Sequence, residues 1–259
     1  DPVIINEGNQ WVMYYGARQF SGPGPGTSIG KATASDLAGP WTREDDPILS
    51  VGSTGEWDSH FVIPNTVLQT DSGHIMYYSG GPNLNEDWYM GMAYNTGSSW
   101  IKYDDPATTV PPFAESDPVL VTGVADSWDT QIATFGSVNK IASGYEMFYW
   151  GNDGVNNFGI GYATSDDGIV WNKSPGNPFY NYLDDPFALN NNLNITELPF
   201  VWITNDEYRM YYDYGLGANT GYIGMATAPT LAQIIHVRAD QPTIQAGIDA
   251  ATTGDTVLV

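Results

Sequence analysis

The sequence predicts an all-β protein assembled from repeated antiparallel sheets. Three observations carry that expectation. Two strand motifs recur four times in a fixed order, the 14% aromatic content is concentrated in them, and Gly or Asn-Asp turns separate them. The first motif is Trp11-Val12-Met13-Tyr14-Tyr15-Gly16, repeated as His74 to Ser79, Tyr145 to Trp150 and Tyr208 to Asp213. Its methionines, at 13, 76, 147 and 210, lie 63, 71 and 63 residues apart. The second motif follows each copy: Ile29-Gly30-Lys31-Ala32-Thr33, Met90-Gly91-Met92-Ala93-Tyr94, Ile160-Gly161-Tyr162-Ala163-Thr164 and Ile223-Gly224-Met225-Ala226-Thr227. Four matches of two motifs in one order define an internal repeat.

Each unit reads as four short strands. An apolar run opens it, as in Ile63-Pro64-Asn65-Thr66-Val67-Leu68, and the Met-Tyr-Tyr strand follows a turn. The Gly-x-Ala strand is third. A Trp-led strand closes the unit at Trp41-Thr42-Arg43, Trp100-Ile101-Lys102 and Trp171-Asn172-Lys173. Four-stranded sheets at this spacing describe the blades of a β-propeller, with four repeats visible, because repetition around an axis leaves few exposed edges. The first unit starts on its first strand at Asp1, and the fourth has no Trp-led strand after Thr227. The ring is therefore expected to draw on residues upstream.

The propeller is assigned to residues 1–229. After Pro229 the character changes: Ile234-Ile235-His236-Val237 and Thr256-Val257-Leu258-Val259 read as strands, and Pro242 to Ala251 as a short helix. This tail resembles the entry to a right-handed parallel β-helix of the pectate-lyase-like kind. Residues 230–259 are thus expected to be a linker and the first element of such a domain, one coil of which cannot bury its own apolar face. A closing strand with a capping helix is the alternative.

Composition narrows the function classes. Eight Lys+Arg against 30 Asp+Glu give a formal charge of −22, which lacks the cations that nucleic-acid phosphates or an anionic membrane surface require. No apolar run reaches the length of a membrane span, so no membrane insertion is expected. Cysteine is absent, which removes thiolate metal sites and cysteine nucleophiles. A solvated acidic surface fits a secreted or cell-surface protein.

The repeats also serve as an internal control, because a residue unique to one unit needs a reason other than the fold. Aligning the first strands on Pro2, Pro64, Phe135 and Pro199 sets Asp1 against Ile63, Thr134 and Leu198. It sets Glu197 against Val62 and Ala133. Both carboxylates then occupy slots that are apolar or small elsewhere. In an up-and-down blade the start of the first strand and the end of the second share one end of the propeller. Asp1 and Glu197 are therefore expected at the channel mouth, with Arg18, Asn152, Asp153 and Asp213 arriving on the following loops. Two carboxylates across a cleft can divide acid and base work, as glycosidic hydrolysis requires. Solvated strand ends, or ligands of a structural or channel Ca ion, are the other reading; no cofactor is called for.

With Asp1-Pro2, Glu197-Leu198-Pro199, Gly55-Glu56-Trp57-Asp58 and the run from Gly161 to Trp171 in view, residues 1–229 resemble the five-bladed propeller glycosidases. That group includes glycoside hydrolase family 43 and relatives acting on fructans and mannosides. The resemblance implies that Asp1 is the general base and Glu197 the general acid, on an oligo- or polysaccharide. It also implies a third acid that tunes the Glu; the aligned slot holds Thr134, and Asp129, five residues earlier, could reach in but belongs to a repeated Trp-Asp pair, where repetition favours a structural role such as a turn or cap. Candidate sugar contacts are His60, Asp58, Asn65, Arg18, Trp150, Asp153, Asp129 and Asp213, with Trp57 and Trp150 expected to stack on sugar rings. A non-catalytic carbohydrate-binding or surface-assembly module is the alternative function.

Overall fold

The computed structural model describes residues 2–18, 26–84, 87–95, 97, 99–155, 158–191, 193, 195–204, 207–215, 221–229, 234–236 and 256–258. Its elements are almost all strands, in the order the motifs require. The first repeat forms β1 (Pro2–Asn6), β2 (Trp11–Arg18), β3 (Thr27–Ala34) and β4 (Thr42–Arg43). The second forms β5 (Phe61–Thr70), β6 (Gly73–Gly81), β7 (Tyr89–Asn95) and β8 (Trp100–Lys102), with β9 (Pro118–Leu120) added on β7. The third forms β10 (Ile132–Ile141), β11 (Gly144–Asn152), β12 (Phe158–Ser165) and β13 (Asn172–Lys173). A short 3-10 helix (Tyr182–Asp184) and α1 (Pro186–Asn190) precede the three-stranded fourth sheet: β14 (Ile195–Ile203), β15 (Glu207–Gly215) and β16 (Gly221–Pro229).

Within repeats one to three each strand pairs antiparallel with the next, as a meander. Neighbouring repeats are clipped together by single parallel bridges, Thr27 to Phe61 and Trp88 to Ile132. Among the described residues no strand pairing closes the sheets into a ring.

The recurring motifs follow from packing between repeats. Met76 and Tyr78 pack with Val12, Tyr14 and Ile29 of the first repeat, whereas Tyr77 packs with Val138, Met147 and Ala163 of the third. The Met-Tyr-Tyr strand is therefore buried on both faces, which explains its unbroken apolar run where a one-sided strand would alternate. The Gly of the second motif sits opposite the second Tyr: Tyr15 to Gly30, Tyr78 to Gly91 and Tyr149 to Gly161. A Cβ at these glycines would meet the phenol ring at 2.7, 2.4 and 2.3 Å. The ring lies flat across a position that only Gly can leave open.

The second and third repeats share a buried polar clamp. Asp58 receives Lys102 Nζ at 2.5 Å and the Tyr78 hydroxyl at 3.3 Å. Asp129 receives Lys173 Nζ at 2.6 Å and the Tyr149 hydroxyl at 3.0 Å. This clamp ties the loop before the first strand to the second and fourth strands. In the fourth repeat Asp185 takes the equivalent place, accepting from the hydroxyls of Tyr212 and Tyr180. The sequence hides that copy, because α1 lies between Asp185 and β14.

Two compact units are distinguished, residues 1–200 with 212–224 and residues 201–211 with 225–259. The first holds the sheets of repeats one to three and the candidate site residues. The second holds β17 (Ile234–His236) and β18 (Thr256–Leu258), which pair in parallel. Both were expected as strands; the expected helix between Pro242 and Ala251 lies outside the described residues. No helix among the described residues is long and apolar enough to cross a membrane.

Candidate active site

The first strands of all four repeats converge on one cavity. It measures about 260 Å³ and is lined by Pro2 and Val3, Pro64 and Asn65, Phe135 and Gly136, and Leu198 to Phe200. Pro2, Pro64, Phe135 and Pro199 therefore meet in space. Phe135 also walls a second pocket of about 110 Å³, where Ile63, Phe61 and Trp88 join Arg18 and His60. Arg18 ends β2, is exposed, and makes no ion pair among the described residues. Its place beside His60 agrees with the expectation that loops after the second strands gather near the start of the first strands.

Backbone conformation corrects the alignment of the fourth repeat. Phe135 and Leu198 are both left-handed, with φ of 47° and 53°, a region that bulky residues rarely enter. In the third repeat the irregularity falls between Thr134 and Ser137, and in the second between Pro64 and Thr66. Leu198, and not Pro199, is thus the counterpart of Phe135 and Pro64. Burial agrees: Val62, Ala133 and Thr196 form a fully buried row two positions earlier. Glu197 accordingly occupies the slot of Ile63 and Thr134, not that of Val62 and Ala133.

The corrected register has a direct consequence for Glu197. Ile63 pairs across the sheet with Ser79, and Thr134 with Trp150. Asp213 follows Met210-Tyr211-Tyr212 as Ser79 follows Met76-Tyr77-Tyr78, and β14 neighbours β15 in the sheet, so by the equivalence of the repeats Glu197 and Asp213 take the two slots of the opposed pair. Both are part-buried. Burial holds the Glu197 carboxyl above the usual glutamate range, and the negative charge of Asp213 pushes it further up. Burial likewise raises Asp213. Asp1 lies outside the described residues; its neighbour Pro2 pairs with Tyr15 and lines the axial cavity.

The remaining candidates divide. Asn65 faces the axial cavity, and its side-chain amide donates to Ser79 Oγ at 2.8 Å. Asp153 follows β11 and accepts from the Val155 amide at 2.9 Å, closing a turn. Trp150 is 8% exposed and packs on Trp88 and Phe135 with ring centroids 6.2 and 5.9 Å apart. Asp58 and Asp129, expected as sugar contacts, are instead buried in the lysine clamps. Trp57, expected to stack on sugar, is 1% exposed, stacked on Tyr78, with its indole N–H on the Ser116 carbonyl. The aromatic faces of the pocket are those of Trp88, Phe61 and Phe135, which sequence reasoning missed. Phe135 was the available signal, because it stands where the first two repeats carry Pro2 and Pro64.

Thr134, in the slot expected to hold a third acid, is fully buried. Its hydroxyl lies 2.8 Å from both Ser79 Oγ and the Tyr89 carbonyl oxygen. Ser79 also accepts the Phe135 amide at 3.0 Å, so Thr134 joins the second and third repeats rather than facing the cavity. No group of three or more His, Cys, Asp or Glu arranged to hold a metal occurs among the described residues.

No family model matches the chain, and no curated protein matches it in sequence. Solved structures do. One described as a glycoside hydrolase is 20% identical, with a TM-score of 0.67, over 88% of this chain and 70% of that one. A thermostable family-43 glycoside hydrolase is 17% identical, with a TM-score of 0.59, over 86% and 69%. A family 117 glycoside hydrolase of the marine bacterium Zobellia galactanivorans is 16% identical, with a TM-score of 0.60, over 98% and 74%. The chain is all-β and shares the fold of these propeller glycosidases.

Proposed function

We propose that the protein is a glycoside hydrolase, cleaving an oligo- or polysaccharide with Glu197 as general acid and Asp1 as general base. The observation that carries this reading is Glu197 itself. It interrupts a slot filled by Ile63 and Thr134 in two other repeats, next to the axial cavity, with a carboxyl held toward its protonated form. A general acid must carry its proton near neutral pH, and a part-buried carboxyl beside another carboxylate is how proteins achieve that. Asp1, preceding Pro2 at the same cavity, would take the proton of the attacking water. Carboxyl groups roughly 6.5–9.5 Å apart would imply inversion, and about 5–5.5 Å retention.

Turnover by Glu197→Gln and Asp1→Asn against a panel of neutral and acidic polysaccharides tests the mechanism. Loss of at least about a hundredfold in each is expected; wild-type rates in both variants would remove it. One observation favours a binding module instead: Thr134 supplies no third acid. Retention of a sugar on a glycan array, with no release of reducing ends, would support that second reading.

The wider organisation belongs to the same proposal. The propeller is read as the five-bladed type, a reading supported by the fold it shares with the glycosidases. The parallel pairing of Ile234–His236 with Thr256–Leu258 supports residues 230–259 as the entry to a parallel β-helix. The acidic surface suits a secreted or cell-surface enzyme.

A further inference from the structure

The acid–base reading leaves one question open: what keeps a proton on Glu197 when the slot expected to hold a third acid contains Thr134. We propose that Asp213, on the neighbouring strand of the same sheet, is the positioning residue that shares a proton with Glu197. This rests on Glu197 being the proton donor and assigns a role to Asp213 beyond contact with sugar.

Directly opposed residues of an antiparallel pair have Cβ atoms about 4.5–5.5 Å apart on one face, and like charges there repel. The equivalent pairs in the second and third repeats are Ile63 with Ser79 and Thr134 with Trp150, neither of which carries charge. By the same equivalence the fourth repeat sets carboxylate against carboxylate. No ion pair to either residue occurs among the described residues. The residues of β1, β5 and β10 that meet β14 along the axial cavity are Pro2, Val3, Pro64, Asn65, Phe135 and Gly136, and none titrates. The other charged side chains of β15, Glu207 and Arg209, pair with each other. Among the described residues Asp213 is therefore the charged group acting on Glu197. It ionises first, and its charge then holds the remaining proton on Glu197.

In turnover that proton passes to the glycosidic oxygen as the bond from the anomeric carbon to that oxygen breaks. Water forms the new bond to the anomeric carbon and gives its proton to the base. Glu197, left ionised beside Asp213, is returned to its protonated form by solvent, a step that their mutual repulsion favours. Asp213 touches neither reacting atom.

The test is a carboxyl carbon NMR titration of the full chain labelled at Glu and Asp, with Glu197 assigned from the Glu197→Gln spectrum. Asp213→Asn and Asp213→Ser are compared with wild type; Ser is the residue that Ser79 places in the same slot of a folded repeat. The Glu197 midpoint is expected to fall by about one pH unit or more in both variants. Where a substrate turns over, the alkaline limb of kcat/KM should move down by the same amount. An unchanged midpoint in both variants overturns the proposal. If Glu197→Gln keeps wild-type turnover, the acid–base reading fails on its own, whatever the midpoint does.

Discussion

Replacing Lys102 by Met isolates the energetics of the clamp that repeats two and three share. The Asp58 side chain is completely buried, and the Lys102 side chain is 13% exposed. Met keeps most of the aliphatic stem in place, so the change removes charge more than packing. Asp58 would then depend on one hydrogen bond, from Tyr78 at 3.3 Å, because its Oδ1 already has no hydrogen-bond partner. Stranding one partner of a buried pair costs about 3–5 kcal/mol. In a chain of this size that corresponds to a fall in Tm of roughly 10 °C. Urea denaturation followed by tryptophan fluorescence reads the loss directly. Asp58→Asn in the same background should recover more than half of it, since the uncompensated charge is gone. The control is Lys31→Met, which breaks the surface pair with Glu44, whose side chains are 28% and 47% exposed; it should cost less than about 1 kcal/mol. If Lys102→Met costs no more than Lys31→Met, the clamp does not hold the blade together, and the repeated Asp–Lys pairs need another explanation.

Three further outcomes are expected. Gly161→Ala and Gly91→Ala should destabilise by more than about 3 kcal/mol, because the new Cβ meets a buried Tyr ring at 2.3 and 2.4 Å; Gly30→Ala, at 2.7 Å from the less buried Tyr15, should cost less, and chemical denaturation ranks them. Glu197→Gln should make the protein more stable than wild type at pH 7. Its carboxyl is raised in the fold, so the stability it contributes is present below the unfolded glutamate pKa and lost as pH rises through the folded value; the advantage of Gln should therefore shrink toward pH 4 in a series of denaturation curves. Thr134→Val should cost about 1–3 kcal/mol through the two hydrogen bonds it removes, to Ser79 and to Tyr89, while leaving the pH profile of any activity in place.

The repeat architecture was legible because its cause is local and recurrent. A strand squeezed between two blades must be apolar on both faces, and a Tyr ring lying across its partner strand demands Gly. Met-Tyr-Tyr and Gly-x-Ala therefore recur wherever the packing recurs. The special status of Glu197 was legible for the complementary reason: a carboxylate in a slot that the second and third units fill with Ile63 and Thr134 stands out in a repeat.

What the sequence could not supply was register and side-chain direction. Aligning on Pro199 misplaced Glu197 by one position, because the feature that repeats is a left-handed backbone residue, filled by Phe135 in one unit and Leu198 in another. Asp58 and Asp129 were candidate sugar contacts whose repetition favoured a structural role, but the lysine partners that fix that role lie 44 residues further on, on the outermost strand. Trp57 looked like a sugar platform and is core. The sequence by itself determined the all-β repeat and the one unit that departs from it, since both are written in which residues can be buried. Only the tertiary structure decided that the charge of Asp213 acts on Glu197 and that Asp58 faces Lys102, because the fate of a charge depends on which strand lies opposite it, and that contact is made across the sheet rather than along the chain.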